Sequence, residues 1–581
     1  MSIDIETYRL KAQEAIEYVF VKEYHNSLGI PMPIVKMLLP DDANYSTGQY
    51  YITIDKTWQI HLNFGKLPIS YHEFQNEVKV LTRHEIEHYM CCPFDVITHF
   101  RMLKRIRDVY YKHFSHLGIN IEYACGAISN QAADIIVDTK NYYRHSKETL
   151  KSEIDWIKIG ANISACPRHC KLMFLTKEAI WKEDLGINET DPEFLKIVHQ
   201  LADSFTKNGI EDKSSFLDKV EEYAEIFFKL YVEDQKNPQQ SSQQGSQQQS
   251  SQQGSQQQSG QQGSQQQSGQ QGSQQQSGQW GVGRPKDGDE HGNAFVFADP
   301  DKVKEAIEVL AEETSVEEFI DLLAIAGIIG MSDKQKGVLW FNVQSANIIP
   351  IVEFSNTGNK SSYTYPSVWR IGDPIEELDL MLTYMTSPRL IPGMTTKKWE
   401  YVSNDDNGTE SKQMDLLLVV DTSGSMGSVM KESANMHQAV LASYGILSYF
   451  ESTKSKVAFI GFSDKIDAYV DWSDKYDDVR ERLLTNGHGG TKFPISRIKS
   501  TLDVRSRDLV TVLITDGDLG NINESVSYFR DYLNDDNKLY IFLLGGSKSL
   551  HSYEPLKNIG AKIYNANNAN EFCDMVLTDM E

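Results

Sequence analysis

Residues 416–426 read LLLVVDTSGSM. Five consecutive apolar residues suit a strand covered on both faces, and the run ends on an acid followed by small hydroxyl residues. Three further runs share this character: VAFIGF at 457–462, LVTVLIT at 509–515 and LYIFLL at 539–544. Helical stretches separate them. Apolar strands alternating with helices predict an α/β, Rossmann-like domain around a central parallel sheet over residues 413–581. Ligand sites in such sheets lie at the carboxyl ends of the strands. Asp421, Ser423 and Ser425 fall on one such loop, Thr491 on the loop NGHGGTKF, and Asp516 at the end of LVTVLIT. Hard oxygen ligands from three loops suit Mg²⁺ or Mn²⁺.

Upstream, residues 294–412 carry no motif with an evident chemistry. Asp299 is placed to cap a helix that has Pro300 at its first position, and Ser315 with Glu318 has the spacing of a capping box. The region is expected to be a helical and β accessory module packed on the sheet domain. Residues 237–293 form a linker dominated by Gln, Ser and Gly. The unit GSQQQSGQQ starts at Gly245, Gly254, Gly263 and Gly272, with small Ser/Gly substitutions. It offers no apolar side chain to offset the entropy of ordering, so a disordered tether is expected.

Residues 1–236 read as a mainly helical α+β domain. Alternating stretches at 50–55 and 58–64 flank a short turn, a hairpin signal, and a helix is expected over 71–90, ending before Pro93. That helix contains His-Glu-Ile-Glu-His at 84–88. Positions i and i+4 share a helix face, so His84 and His88 can reach one Zn²⁺, with Glu85 beside them as general base. Two histidines leave a third ligand to find. In NQAADIIVD, Asn130, Asp134 and Asp138 form a polar stripe on an otherwise apolar helix. Asp134 is the preferred ligand and Asp138 the alternative, with Asn130 or Asp138 orienting a histidine from behind. Cys92, directly after the helix, is a weaker candidate. Cys166, His169 and Cys170 form a second short cluster whose spacing matches no familiar zinc finger.

Composition narrows the partners. The 581 residues contain 81 Asp and Glu against 57 Lys and Arg, a formal charge of −24. Nucleic acid is therefore not an expected partner. No apolar window is long enough to span a membrane, the first residues lack a secretory pattern, and six cysteines are sparse. A cytoplasmic location is expected.

DxSxS followed by Thr491 and Asp516 resembles a von Willebrand factor A (vWA) domain with its metal-ion-dependent adhesion site. The resemblance implies that Asp421, Ser423 and Ser425 coordinate directly, that Thr491 and Asp516 do so directly or through water, and that a partner's carboxylate completes the shell. The strand–helix arrangement around HExxH resembles the zincin metallopeptidases. In that fold an edge strand, here 58–64, holds extended substrate beside the helix. The extended metzincin pattern is absent, since residues 89–95 read YMCCPFD. The oxyanion donor is to be sought among Tyr142, Tyr143, Arg144 and His145. The pairing of both domains resembles prokaryotic metallopeptidase–vWA proteins associated with MoxR-type AAA+ ATPases. It implies a zinc peptidase whose vWA domain binds an acidic motif of that ATPase or of a protein substrate. The alternative is a non-enzymatic vWA adaptor of such an ATPase, with a structural or lost zinc site.

Overall fold

The computed structural model describes residues 5–39, 50–54, 59–64, 71–159, 163–236, 300–328, 331–348, 364–370, 373, 379, 383, 396–401, 414–505, 508–517, 519–535, 537–545 and 550–566. The Gln/Ser/Gly tether, Asp299, Trp58 and the expected boundaries at 237, 294 and 413 lie outside the described residues. The chain divides into two compact units near residue 303.

The N-terminal unit opens with α1 (Ile5–Tyr18), followed by strands β1 (Ile34–Met37), β2 (Tyr50–Ile54) and β3 (Gln59–Phe64). Among the described residues six α-helices follow: α2 (Tyr71–Met90), α3 (Val96–Val109), α4 (Ile121–Ile159), α5 (Arg168–Trp181), α6 (Pro192–Thr206) and α7 (Phe216–Lys236). The hairpin forms as the alternation predicts, with Ile52 opposite Leu62 on antiparallel strands. The strand order is β1-β3-β2, and β1 runs parallel to β3. The strand expected at the edge therefore lies in the centre of its sheet. The reason is β1 itself, a four-residue strand that starts directly after Pro33 and is too short to announce itself by alternation.

Ile60 and Leu62 of β3 pack with Phe74, Val78 and Ile86 of α2 and with Tyr8, Ala12 and Ile16 of α1. The stripe 74, 78, 86 fixes which way α2 faces. His84 and His88 lie two residues to either side of Ile86, each a rotation of roughly 200° from it at 3.6 residues per turn. The face away from the sheet is thus turned toward α4.

The C-terminal half begins with α8 (Pro300–Glu313), α9 (Val316–Ile325) and α10 (Asp333–Ile348), then a two-stranded antiparallel sheet of β4 (Thr364–Val368) and β5 (Lys397–Tyr401). The capping box forms: Glu318 N donates to Ser315 Oγ and Ser315 N to Glu318 Oε2, both at 3.3 Å. Next come β6 (Asp415–Asp421), α11 (Asn435–Ser452), β7 (Val457–Phe462), β8 (Ile466–Ser473), α12 (Tyr476–Leu483) and α13 (Ile495–Leu502). The last elements among the described residues are β9 (Leu509–Thr515), α14 (Val526–Asn534), β10 (Lys538–Leu544), α15 (Leu550–Lys557) and β11 (Lys562–Ala566).

These strands make a six-stranded sheet in the order β11-β10-β9-β6-β7-β8. All neighbours are parallel except β7 and β8. The sheet is therefore mixed, not parallel throughout. Only residues 463–465 join β7 to β8, and a parallel crossover needs about a dozen residues or more. Alternate residues of β6 serve opposite faces. Leu417 and Val419 join a core with Ile498, Phe529 and Tyr553. Leu416, Leu418 and Val420 are also fully buried, on the face that α11 covers. α10 packs on α11 in turn, with the Phe341 ring 5.1 Å from His437 and 5.5 Å from Tyr444.

Candidate functional site

α2 and α4 bring three donors together. His84 Nε2 lies 3.1 Å from His88 Nε2. Asp134 Oδ1 lies 3.2 Å from His88 Nε2 and 3.5 Å from His84 Nε2. The three ligand atoms fall within 4.8 Å of one another, and the group could hold a metal ion. His88 and Asp134 are buried, and the His84 side chain is 11% exposed.

The outer atoms of each group settle what its inner atom offers. His88 Nδ1 bonds the backbone oxygen of Cys92 at 2.9 Å. A carbonyl only accepts, so Nδ1 carries a proton, and in the neutral ring Nε2 is then the nitrogen with the lone pair. Asp138 Oδ1, 2.7 Å from His84 Nδ1, favours the same tautomer in His84. Asn130 Nδ2 donates to Asp134 Oδ2 at 3.1 Å. Asp134 Oδ1 is buried and receives no hydrogen bond. Two lone pairs and a carboxylate oxygen thus crowd one point, an arrangement that calls for a proton or a cation. Two imidazole nitrogens and one carboxylate oxygen are the donor types of a three-ligand zinc site.

Burial disfavours the charged form of His84, but the Asp138 carboxylate and its hydrogen bond, with Asp134 and Glu85, outweigh it. The pKa rises from the ordinary 6.5 to about 9. A raised pKa stabilises the fold while the group is protonated. In chelator-treated protein this stability is present below about pH 6.5 and lost as pH rises through about 9. It amounts to something on the order of 3 kcal/mol. Urea titrations at pH 6 and pH 10 are expected to show the loss, and His84→Gln or bound metal to abolish it.

The other expected residues divide. Glu85 is buried next to His84 on α2. Asp138 stands behind His84 rather than in the ligand group, and Asn130 supports Asp134 rather than a histidine. Cys92 contributes its backbone oxygen, not its thiol. Two of the oxyanion candidates are engaged elsewhere: Tyr142 Oη donates to Glu183 at 2.8 Å and stacks on Trp181, and Arg144 bonds Glu87 at 3.0 Å. Tyr143 is exposed, and His145 sits where α4 bends. In the second cluster, His169 Nδ1 pairs with Asp234 at 2.8 Å. Burial raises the pKa of both Cys166 and Cys170.

A second constellation closes over the end of β6. Asp421 is fully buried. Its Oδ1 accepts from Ser423 N at 2.9 Å and its Oδ2 from Thr515 Oγ1 at 2.6 Å. Ser423 Oγ lies 3.1 Å from Ser425 Oγ, which donates to Asp516 Oδ1 at 3.0 Å. Asn435 Nδ2, unforeseen in the sequence, holds Asp516 Oδ2 at 3.2 Å. Gly424 N donates to Gly489 O at 3.2 Å, which clamps the loop that carries Thr491 onto the same place. That loop passes so close that a Cβ on Gly487 would stand 2.4 Å from Thr422 O and 2.5 Å from Asp467 Oδ2. Burial raises the Asp421 pKa, against its hydrogen bonds and with help from Asp516. Carboxylates and hydroxyls gathered this way form an oxygen donor set suited to a hard divalent cation.

No protein-family profile and no curated protein matches this chain. Solved structures do match. One is the conserved hypothetical protein BatB from Bacteroides thetaiotaomicron, at 13% identity and a TM-score of 0.25, over 29% of this chain and 98% of that one. Another is an aerotolerance-related membrane protein from Bacteroides fragilis NCTC 9343 with multiple mutations to serines, at 14% identity and a TM-score of 0.23, over 29% and 98%. The cytoplasmic location expected from the sequence is corrected here. A similar structure is described as a membrane protein. Among the described residues no helix is long and apolar enough to cross a membrane, and that alone assigns no compartment.

Proposed function

We propose that the N-terminal unit is a zinc-dependent hydrolase of peptide bonds. We propose further that the C-terminal unit is a vWA-type domain that uses Mg²⁺ to bind an acidic motif on a protein partner, a MoxR-type AAA+ ATPase or a substrate. The observation that carries the first reading is the buried convergence of His84 Nε2, His88 Nε2 and an Asp134 oxygen that receives no hydrogen bond. When bound there, Zn²⁺ supplies a Lewis acid. The remaining work belongs to the chain. Asp138 and the Cys92 carbonyl hold the two imidazoles in the ligating tautomer. Glu85, one residue along α2 from His84, takes the proton of the attacking water and returns it to the leaving amine. Three protein ligands rather than four favour a catalytic site over the structural zinc of an adaptor. For the second reading the support is the hydrogen-bonded set Asp421–Ser423–Ser425–Asp516 at the end of a central strand.

Elemental analysis tests the first reading. Wild-type protein is expected to carry about one zinc per chain, and His88→Ala and Asp134→Ala none. No zinc in wild type after reconstitution would favour the adaptor. Zinc lost from His88→Ala but kept in Asp134→Ala would dismiss Asp134 as the third ligand.

A further inference from the structure

We infer that Lys177 is a positioning residue for the metal centre: clamped between Asp138 and Glu153, it fixes the carboxylate that orients His84. This rests on the reading of His84, His88 and Asp134 as zinc ligands. Lys177 projects from α5 and is 2% exposed. Its Nζ lies 2.5 Å from Asp138 Oδ2 and 3.0 Å from Glu153 Oε1. Both acids belong to α4, on either side of the bend at His145. A buried ammonium with one acid would be poorly compensated, and two acids without it would repel each other. The three groups are therefore one unit.

That unit leads to the metal centre. Asp138 uses Oδ2 for Lys177 and Oδ1 for the His84 Nδ1 proton. The carboxylate torsion is soft and roughly two-fold, so an Asp138 held by one oxygen alone would turn freely. With Lys177 on the other oxygen, Oδ1 stays on His84 and Nε2 stays aimed at His88 and Asp134. A single hydrogen-bond chain thus runs from Glu153 through Lys177 and Asp138 to His84. Lysine suits the position because its ammonium is compact and can donate to two acids at once.

A salt bridge that merely staples α5 to α4 would matter for stability and not for zinc affinity. The test is therefore the zinc dissociation constant of the full-length protein, by competition with a chromogenic chelator, with thermal melting in parallel. Lys177→Met is expected to bind zinc about 10–100-fold more weakly, the usual cost of losing an outer-sphere partner. Lys177→Arg is expected to recover most of that loss. Lys177→Met leaves two buried acids facing each other, so Lys177→Met/Glu153→Gln, which keeps the net charge, serves as a second variant with the same expected loss. If Lys177 acts through Asp138, adding Lys177→Met to Asp138→Asn costs no further affinity. Wild-type affinity in either Lys177→Met variant overturns the proposal and leaves the zinc reading intact. So does a further tenfold loss in the Asp138→Asn background. Absence of zinc from wild type overturns both.

Discussion

Glu85→Gln is expected to keep about one zinc per chain and to lose peptide hydrolysis by about a hundred- to ten-thousandfold. The substitution preserves the length and shape of a side chain that is 9% exposed on α2. It leaves the three ligand atoms and their outer partners untouched, so neither the fold nor the metal content should move. What it removes is the capacity to take up a proton, since an amide oxygen is far too weak a base. Two to four decades in rate correspond to about 3–5 kcal/mol of transition-state stabilisation. Fluorogenic peptide turnover, measured on the same samples as zinc content, separates the possibilities. Hydrolysis that survives with zinc in place would assign the proton transfer elsewhere. Zinc lost along with hydrolysis would make Glu85 a structural part of the centre. Asp138→Asn is the comparison: it should weaken zinc binding, which Glu85→Gln should not.

The parts of this centre differ in how openly the sequence displays them. His84 and His88 were legible because a helix puts i and i+4 on one face. Asp134 was legible because acids interrupt an apolar run. The parts that act on them were not. His88 is oriented by the backbone oxygen of Cys92, and a carbonyl leaves no trace in residue type. Lys177 sits 39 residues from Asp138, on another helix, and looks in the sequence like any helix-surface lysine. The same contrast runs through the sheets. The four mainly apolar strands β6, β7, β9 and β10 announced themselves because both faces are buried. β8 did not: IDAYVDWS is only partly buried, as an edge strand is, and its antiparallel direction follows from a three-residue connection rather than from its composition. β1 and β11 are four and five residues long. Short edge strands carry too little pattern to be read, and missing β1 is what misplaced β3 at the edge.

Asp421→Ala is expected to abolish divalent-cation-dependent partner capture while zinc content stays unchanged. The size of the effect follows from what Asp421 holds. Its two oxygens accept from Ser423 N and Thr515 Oγ1 at the end of β6. Alanine removes the proposed ligand and strands both donors, each at a cost of about 1–3 kcal/mol when buried. The loop bearing Ser423 and Ser425 would then be displaced as well as stripped of charge. Asp421→Asn separates these contributions, since it keeps the volume and one acceptor but withdraws the negative charge. Mn²⁺ titration by electron paramagnetic resonance reads the site without a known partner, and both variants are expected to show no saturable site there. Pull-downs of protein partners with Mg²⁺ and with EDTA then read the function. If Asp421→Asn binds Mn²⁺ as wild type does, the oxygen cluster is only a hydrogen-bonded turn. Ser425→Ala gives the graded case: it removes one hydroxyl and the bond to Asp516 Oδ1, while Asn435 still holds the other Asp516 oxygen. Mn²⁺ affinity between wild type and Asp421→Asn is the result expected of a ligand set built from several loops.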